Sequence, residues 1–378
     1  MVAAGVGALA LDVVGALIVI VAAGDLFLTV FNYDGFTTLA TRFHRGWWTA
    51  LRTMTRPLPT RARHFALSLG SASMLPATFA LWLGAEITGF ALLYYGGMRD
   101  GAFALKGASA SIGTAFYLSG GAVSSLVFGD VFARGAFERA LVDLQTIVGL
   151  ATFTLALGYV VTAFGLLGAL ENLHGLVRRH AGSLDRPESI VCRHFRGGST
   201  ANLPSFVQQL SDHLEEYDQG LRRYPVVYFF HTRRTRRSIP HVFTAIGDLV
   251  ALLRWGLPAD EPITKDPFLI ALHDAYLDTV DRLRRSFVGP DPIREPEPLP
   301  REEFAAAYAS AGADADVDSF RALERRGHDA AETGRSDDVD TAFAHYREWL
   351  PFAHRQRVVL DRVADRLGYE RPEPVAAA

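Results

Sequence analysis

The chain has 378 residues, 38 Lys+Arg, 41 Asp+Glu, a formal net charge of −3 and one cysteine. A balance this close to neutrality argues against nucleic acid or a strongly acidic molecule as partner. Cys192 alone excludes an intramolecular disulfide framework and a cysteine-rich zinc site. The charge is unevenly distributed: residues 1–170 hold 10 basic and 8 acidic side chains, whereas residues 171–378 hold 28 and 33. The first part has the composition of a membrane domain and the second that of a charged, helical, soluble one.

Three segments are apolar enough to span a bilayer. The first runs from Val2 to Phe31, with Asp12 and Asp25 inside it, and the second from Met74 to Tyr95, interrupted only by Glu86. The third, Leu144–Leu170, is an uncharged run of 27 residues, beyond the roughly 20 that a spanning helix needs. The first segment lacks a basic n-region and continues past a signal-peptide core, so it is expected to be a retained helix.

Arginine placement sets the orientation. Arg42, Arg45, Arg52, Arg56, Arg61 and Arg63 follow the first span, with Asp34 as the only acid, and Arg178 and Arg179 follow the third. The 97–137 connection is balanced by comparison. Positive-inside reasoning therefore puts the arginine-rich loop and the C-terminal region in the cytoplasm, with the N-terminus outside the cell membrane. Within that loop Leu39, Phe43, Trp47 and Leu51 recur at helical spacing opposite Arg42, Arg45 and Arg52. This predicts an amphipathic helix in the headgroup plane, with its arginines toward anionic lipid phosphates.

The connection between the second and third spans is the most informative stretch. Residues 113–123 form an apolar segment too short to cross a membrane, followed by a glycine-containing loop and then the longest span. Irregular backbone at membrane depth is tolerated where it lines a pore or is buried in protein. The run Ser124-Ser125-Leu126-Val127-Phe128-Gly129-Asp130 resembles the filter of the pore-loop potassium channel superfamily, of the form Thr-Thr-Val-Gly-Tyr-Gly-Asp. Tyr117 and Ser119 fall where that family's pore helix commonly has an aromatic residue and a serine. The chain is similar, more narrowly, to bacterial two-helix potassium channel pore domains with an additional first span. The Asp25-Leu-Phe-Leu-Thr-Val-Phe31 and Tyr224-Pro-Val-Val-Tyr-Phe-Phe230 segments share in that similarity.

The resemblance implies a homotetramer, because four loops are needed for backbone carbonyls to replace an ion's hydration shell. It implies a permeant monovalent cation, potassium in the family, and no cofactor. Ser125 would then supply a filter hydroxyl, Phe128 the aromatic cuff, and Asp130 a carboxylate ring at the outer mouth. Val127 departs from the family glycine. A β-branched residue disfavours the backbone conformations that such a filter visits, so the filter is expected to differ in course or coordination. Strict potassium selectivity does not carry over.

In the third span Gly149 and Gly158 are candidate gating hinges, with close helix packing as the alternative for both. No arginine recurs at every third position, which argues against a voltage sensor. Glu86 is the mid-span acid. It is expected to face the bundle interior with a partner such as Thr29 or Arg139, while Asp12 and Asp25 lie near the ends of their helix, where an interface solvates them.

From Glu171 onward helical periodicity covers Ser205–Arg223, Pro240–Trp255, Asp266–Phe287 and Thr341–Leu367. Residues 289–300 contain five prolines and read as a linker or strap. Residues 311–338 are Ala/Asp/Arg-rich, partly helical and mobile. Cys192-Arg-His194 offers half a metal site at most, His231–Arg237 is the densest basic run, and no phosphate-binding loop or nucleophile–histidine spacing suggests an enzyme.

The expected organisation is an all-α membrane protein with three transmembrane helices, a re-entrant pore helix with a filter-like loop, and a helical cytoplasmic domain. Its parts are a first transmembrane helix (1–35), an arginine-rich interfacial region (36–72), a pore domain (73–170) and a helical cytoplasmic domain (171–288). A linker (289–300), a C-terminal helical segment (301–369) and a disordered tail (370–378) follow. Two functions stay open on sequence alone: a cation channel, and a non-conducting scaffold or sensor whose cytoplasmic domain binds a partner.

Overall fold

The computed structural model describes residues 2–31, 38–126, 129–182, 184, 186–196, 202–289, 292–332 and 338–372, with side chains from Leu9 onward. The chain divides into two compact units, Met1–Gly165 with Leu221–Phe230, and Leu166–Gly220 with His231–Ala378.

The first unit holds α1 (Val2–Val30), α2 (Leu39–Thr55), α3 (Thr60–Ala72), α4 (Met74–Arg99), α5 (Ile112–Val123) and residues 136–165 of α6 (Ala136–Ala181). Three helical runs, Leu9–Val30, Thr60–Arg99 and Ala136–Ala181, are long and apolar enough to cross a membrane. The second run is longer than hydropathy alone suggests, because α3 and α4 meet at Ser73, whose hydroxyl donates to Gly70 O at 2.8 Å. The arginine-rich region thus resolves into two helices, and the Trp47 indole donates across them to Gly70 O at 3.1 Å.

α1 and α4 approach through glycine. A Cβ on Gly15 would sit 2.6 Å from Gly89 O, and one on Gly89 would sit 2.8 Å from Gly15 O. Such small-residue contact is what lipid favours, since burial among tails gives helices no hydrophobic drive to associate. Elsewhere in the unit α1 and α6 carry exposed apolar residues, among them Leu9, Leu17 and Ile20 on α1 and Ile147, Leu157 and Val161 on α6. Two three-residue strands, β1 (Phe103–Leu105) and β2 (Val131–Ala133), pair antiparallel with Phe103 opposite Ala133 and Leu105 opposite Val131.

Leu221–Phe230 also belongs to this unit, although it sits in the charged half of the sequence. Its Val226, Val227, Tyr228 and Phe229 are buried. Phe229 lies 6.1 Å from Trp48 and Tyr224 lies 5.5 Å from Tyr159, centroid to centroid.

The second unit contains the end of α6, α7 (Glu188–Arg196), α8 (Leu203–Arg223) to Gly220, α9 (Ile239–Ala251), α10 (Pro267–Phe287), α11 (Arg301–Ala309), α12 (Ala315–Ala331) and α13 (Val339–Leu367). α9 runs into a π-helical turn over Leu252–Gly256. Local chemistry explains the helix limits: Asp266 caps α10 by accepting from Phe268 N at 2.8 Å, and Gly368 at φ 76° ends α13. Residues 292–300 have no regular structure, as the proline-rich strap requires.

Two boundaries differ from the sequence expectation. The segment after 300 is not separate from 171–288, because Phe304 packs on Tyr346 at 4.8 Å while Tyr276 packs on Phe352 at 5.6 Å, which joins α10, α11 and α13 in one core. Residues 315–331 form a core helix, with Val317, Phe320 and Leu323 buried; their polar neighbours obscured this three-residue stripe. At the C-terminus Tyr369 is buried against His231 with centroids 4.2 Å apart. The expected disordered tail lies largely in 373–378, outside the described residues.

Candidate functional site

The stretch from Ala102 to Arg134 leaves and returns at one place. Arg134 N donates to Ala102 O at 2.9 Å and Lys106 N to Asp130 O at 2.7 Å, on either side of the β1–β2 ladder. Between them α5 rises about 18 Å over its 12 residues, well short of a bilayer's roughly 30 Å hydrocarbon core. Ser111 starts the helix by accepting from Thr114 N at 3.2 Å.

A buried polar bolt holds α5 between α4 and α6. Ser119 Oγ donates to Ile87 O at 2.8 Å. Gln145 Nε2 donates to Ser119 Oγ at 2.7 Å and to Ser119 O at 3.0 Å. Tyr94 OH closes the set by donating to Gln145 Oε1 at 2.6 Å. Tyr94, Ser119 and Gln145 are all fully buried. Ser119 carried a family signal, whereas Gln145 and Tyr94 were missed; the usable clue was a lone amide in an otherwise uncharged apolar run.

The end of α5 is a Schellman cap. Ser125 N donates to Ala122 O at 3.1 Å and Leu126 N to Gly121 O at 2.8 Å, with Ser125 at φ 58°, where glycine is the usual occupant. Ser124 Oγ donates back to Gly120 O at 2.8 Å. The two serines of the filter-like motif therefore finish the helix, and Ser124, Ser125 and Leu126 are exposed. Val127 and Phe128 lie outside the described residues. Gly129 is exposed, and Asp130 Oδ1 accepts from Tyr117 OH at 3.4 Å.

Of the two candidate hinges, only Gly149 is packed. A Cβ there would lie 3.1 Å from Val123 O and 3.2 Å from Val123 Cα, so α6 at this point seats the last turn of α5. Gly158 has nothing within 4 Å of a Cβ. α6 is helical through both.

Glu86 does not meet Thr29 or Arg139. Its Oε1 accepts from Thr152 Oγ1 at 2.5 Å, and Oε2 has no hydrogen-bond partner. Thr29 instead donates to Thr38 Oγ1 at 3.1 Å, and Arg139 Nε to Ala133 O at 3.3 Å. Helix geometry explains the substitution: Thr152 lies seven residues, two turns, beyond Gln145 and so on the same face of α6. Tyr159, seven further on, faces Trp82 with centroids 6.3 Å apart. α6 thus presents Gln145, Thr152 and Tyr159, all buried, as successive rungs toward α4.

Asp25 is not solvated at an interface. It is buried, and its carboxylate accepts from Leu39 N at 2.5 Å, Ala40 N at 3.2 Å and Trp82 Nε1 at 2.8 Å. The acid caps α2 from α1 while tying in α4, where the free amides and positive dipole of a helix start favour a carboxylate. Asp12 is half-buried beside Gly96. α2 is further fixed by His44, whose Nε2 lies 2.8 Å from Thr78 Oγ1. Thr78 donates its own proton to Met74 O at 2.7 Å, so the imidazole carries its proton on Nε2. Burial pushes the His44 pKa down to about 4. Trp48, rather than Trp47, is the buried tryptophan of α2.

The weaker metal candidate does not assemble. His194 stacks on His180 at 6.1 Å, and no group of three or more metal-ligating side chains occurs among the described residues.

No family model and no solved structure matches the chain. It is 20% identical over 238 residues to an uncharacterized membrane protein of Bacillus subtilis (strain 168), YdjJ, covering 61% of this chain and 67% of that protein. The chain thus combines three long apolar helices with a membrane-protein relative. This is an all-α membrane protein.

Proposed function

We propose that the chain is a subunit of a pore-loop cation channel, conducting monovalent cations, potassium foremost, through a homotetramer. The observation that carries this reading is the excursion from Ala102 to Arg134. It starts and ends at one strand pair, holds a helix too short to span, and leaves Ser124, Ser125, Leu126 and Gly129 exposed on a single chain. A re-entrant hairpin has this form, and its exposed tip is where copies related by symmetry would meet around an ion. The apolar stripe Ile147, Leu150, Leu157, Val161 and Phe164 on α6 is likewise exposed and supplies a face for neighbouring copies or the inner pore. In this reading Asp130 concentrates cations at the mouth, and a hinge belongs at Gly158 rather than at the packed Gly149. The N-terminus lies outside and the unit built on Leu166–Gly220 and His231–Ala378 lies in the cytoplasm.

Val127 favours the competing reading, a non-conducting scaffold, because it occupies the family's glycine position. Potassium and sodium flux from liposomes containing the purified protein, beside a Gly129→Ala/Asp130→Ala variant, separates the two. Flux that the variant loses supports the channel. A monomer or dimer without flux refutes it.

A further inference from the structure

The basic run His231–Arg237 falls between Phe230 and the start of α9 at Ile239. Its last residues make a single 3₁₀ turn over Thr235–Arg237 and form one side of a cleft of about 510 Å³. The other side is the end of α6, where His174 and Arg178 face the same space. Arg178 and Arg234 are 56 positions apart in sequence, so the fold gathers these charges. Four arginines, Arg178, Arg234, Arg236 and Arg237, line the cleft, and no acidic residue does among the described lining residues. Glu171 takes Arg237 Nη1 at 2.9 Å from outside the lining and fixes that side chain.

Like charges brought together repel one another, and the arrangement is relieved when an anion enters. Guanidinium forks match phosphate oxygens in pairs, which an ammonium does not. The volume lies within the roughly 300–1,000 Å³ typical of small-molecule sites. We propose that this cleft binds a phosphate-bearing anion, delivered either as a lipid headgroup or as a soluble polyphosphate. The headgroup source has a geometric basis: Arg178 is eight residues beyond Leu170, about 12 Å along one unbroken helix from the end of the uncharged run. The site is independent of whether the protein conducts.

The test uses the full chain in phosphatidylcholine nanodiscs, with amide hydrogen exchange read at residues 174–182 and 231–237. One arm adds inorganic tripolyphosphate and the other replaces part of the lipid with phosphatidic acid. Protection in either arm is expected. It should weaken about tenfold in apparent affinity in Arg178→Gln/Arg234→Gln, and remain unchanged in the equally discharged control Arg325→Gln/Arg362→Gln. Each single variant should weaken it several-fold, and because Arg178 and Arg234 are exposed neither disturbs the core. Protection by tripolyphosphate alone assigns a soluble anion, and protection by phosphatidic acid alone a lipid. No protection in either arm, or equal loss in the control, overturns the site.

Discussion

Replacing Gln145 by leucine tests the polar bolt directly. Leucine nearly preserves volume but removes three hydrogen bonds, two to Ser119 and one from Tyr94. Ser119 Oγ keeps Ile87 O as its acceptor, so the group left stranded is the Tyr94 hydroxyl, fully buried on α4. Burying an unpartnered polar group costs about 1–3 kcal/mol, and hydrogen bonds between membrane helices average about 0.6 kcal/mol. Gln145→Leu should therefore destabilise by about 2 kcal/mol, and Tyr94→Phe, which strands Gln145 Oε1, by about 1 kcal/mol. The double variant strands neither group. It should lose about 1 kcal/mol less than the sum of the two single losses, measured by denaturant unfolding in mixed micelles followed by helical circular dichroism. Double-variant stability equal to that sum within about 0.5 kcal/mol would show that the two side chains are not coupled and would refute the bolt.

Asp25→Ala leaves the Leu39 and Ala40 amides and the Trp82 indole without their acceptor, and should cost about 3 kcal/mol; limited proteolysis near the start of α2 reads it, with Asp25→Asn expected to lose less. His44 has a folded pKa of about 4 against an ordinary 6.5, so below pH 6.5 the unfolded chain binds the extra proton. The His44 contribution to stability should fall by up to roughly 3 kcal/mol as pH drops from 6.5 to 4; the difference in pH-dependent unfolding between wild type and His44→Gln checks this, because half-buried His273 and His345, whose pKa values are also lowered, contribute equally to both. Gly149→Ala should destabilise by about 1–2 kcal/mol through its contact with Val123, whereas Gly158→Ala, in open space, should be neutral or stabilising by up to about 1 kcal/mol in the same unfolding assay.

The sequence was legible wherever one physical signal dominated. Hydropathy located α1, α4 and α6, and helical periodicity placed α8, α10 and α13 within about two residues of their limits, since an apolar stripe and a capping aspartate such as Asp266 are local. Partnerships between distant positions were not legible. Asp25 reads as an interfacial acid until α2 folds back 14 residues later and Trp82 arrives 57 residues later. Glu86 has several hydroxyls in reach on paper, and only the rotation of α6 selects Thr152. Tyr224–Phe230 is apolar enough to bury, but composition could not say that it belongs to the first unit. In the candidate site, the short helix was readable, and the Schellman cap that claims Ser124 and Ser125 was not.

The rungs Gln145, Thr152 and Tyr159 also govern how α6 can move. Sliding α6 along α4 by one turn would break the amide–tyrosine, hydroxyl–carboxylate and aromatic contacts at once. Down to Thr152, then, hydrogen bonds tie α4, α5 and α6 into one block. Gly158 follows that block with open space where a Cβ would be, so a bend there parts only the Trp82–Tyr159 rung and leaves the α5 cap at Ser124 and Ser125 undisturbed.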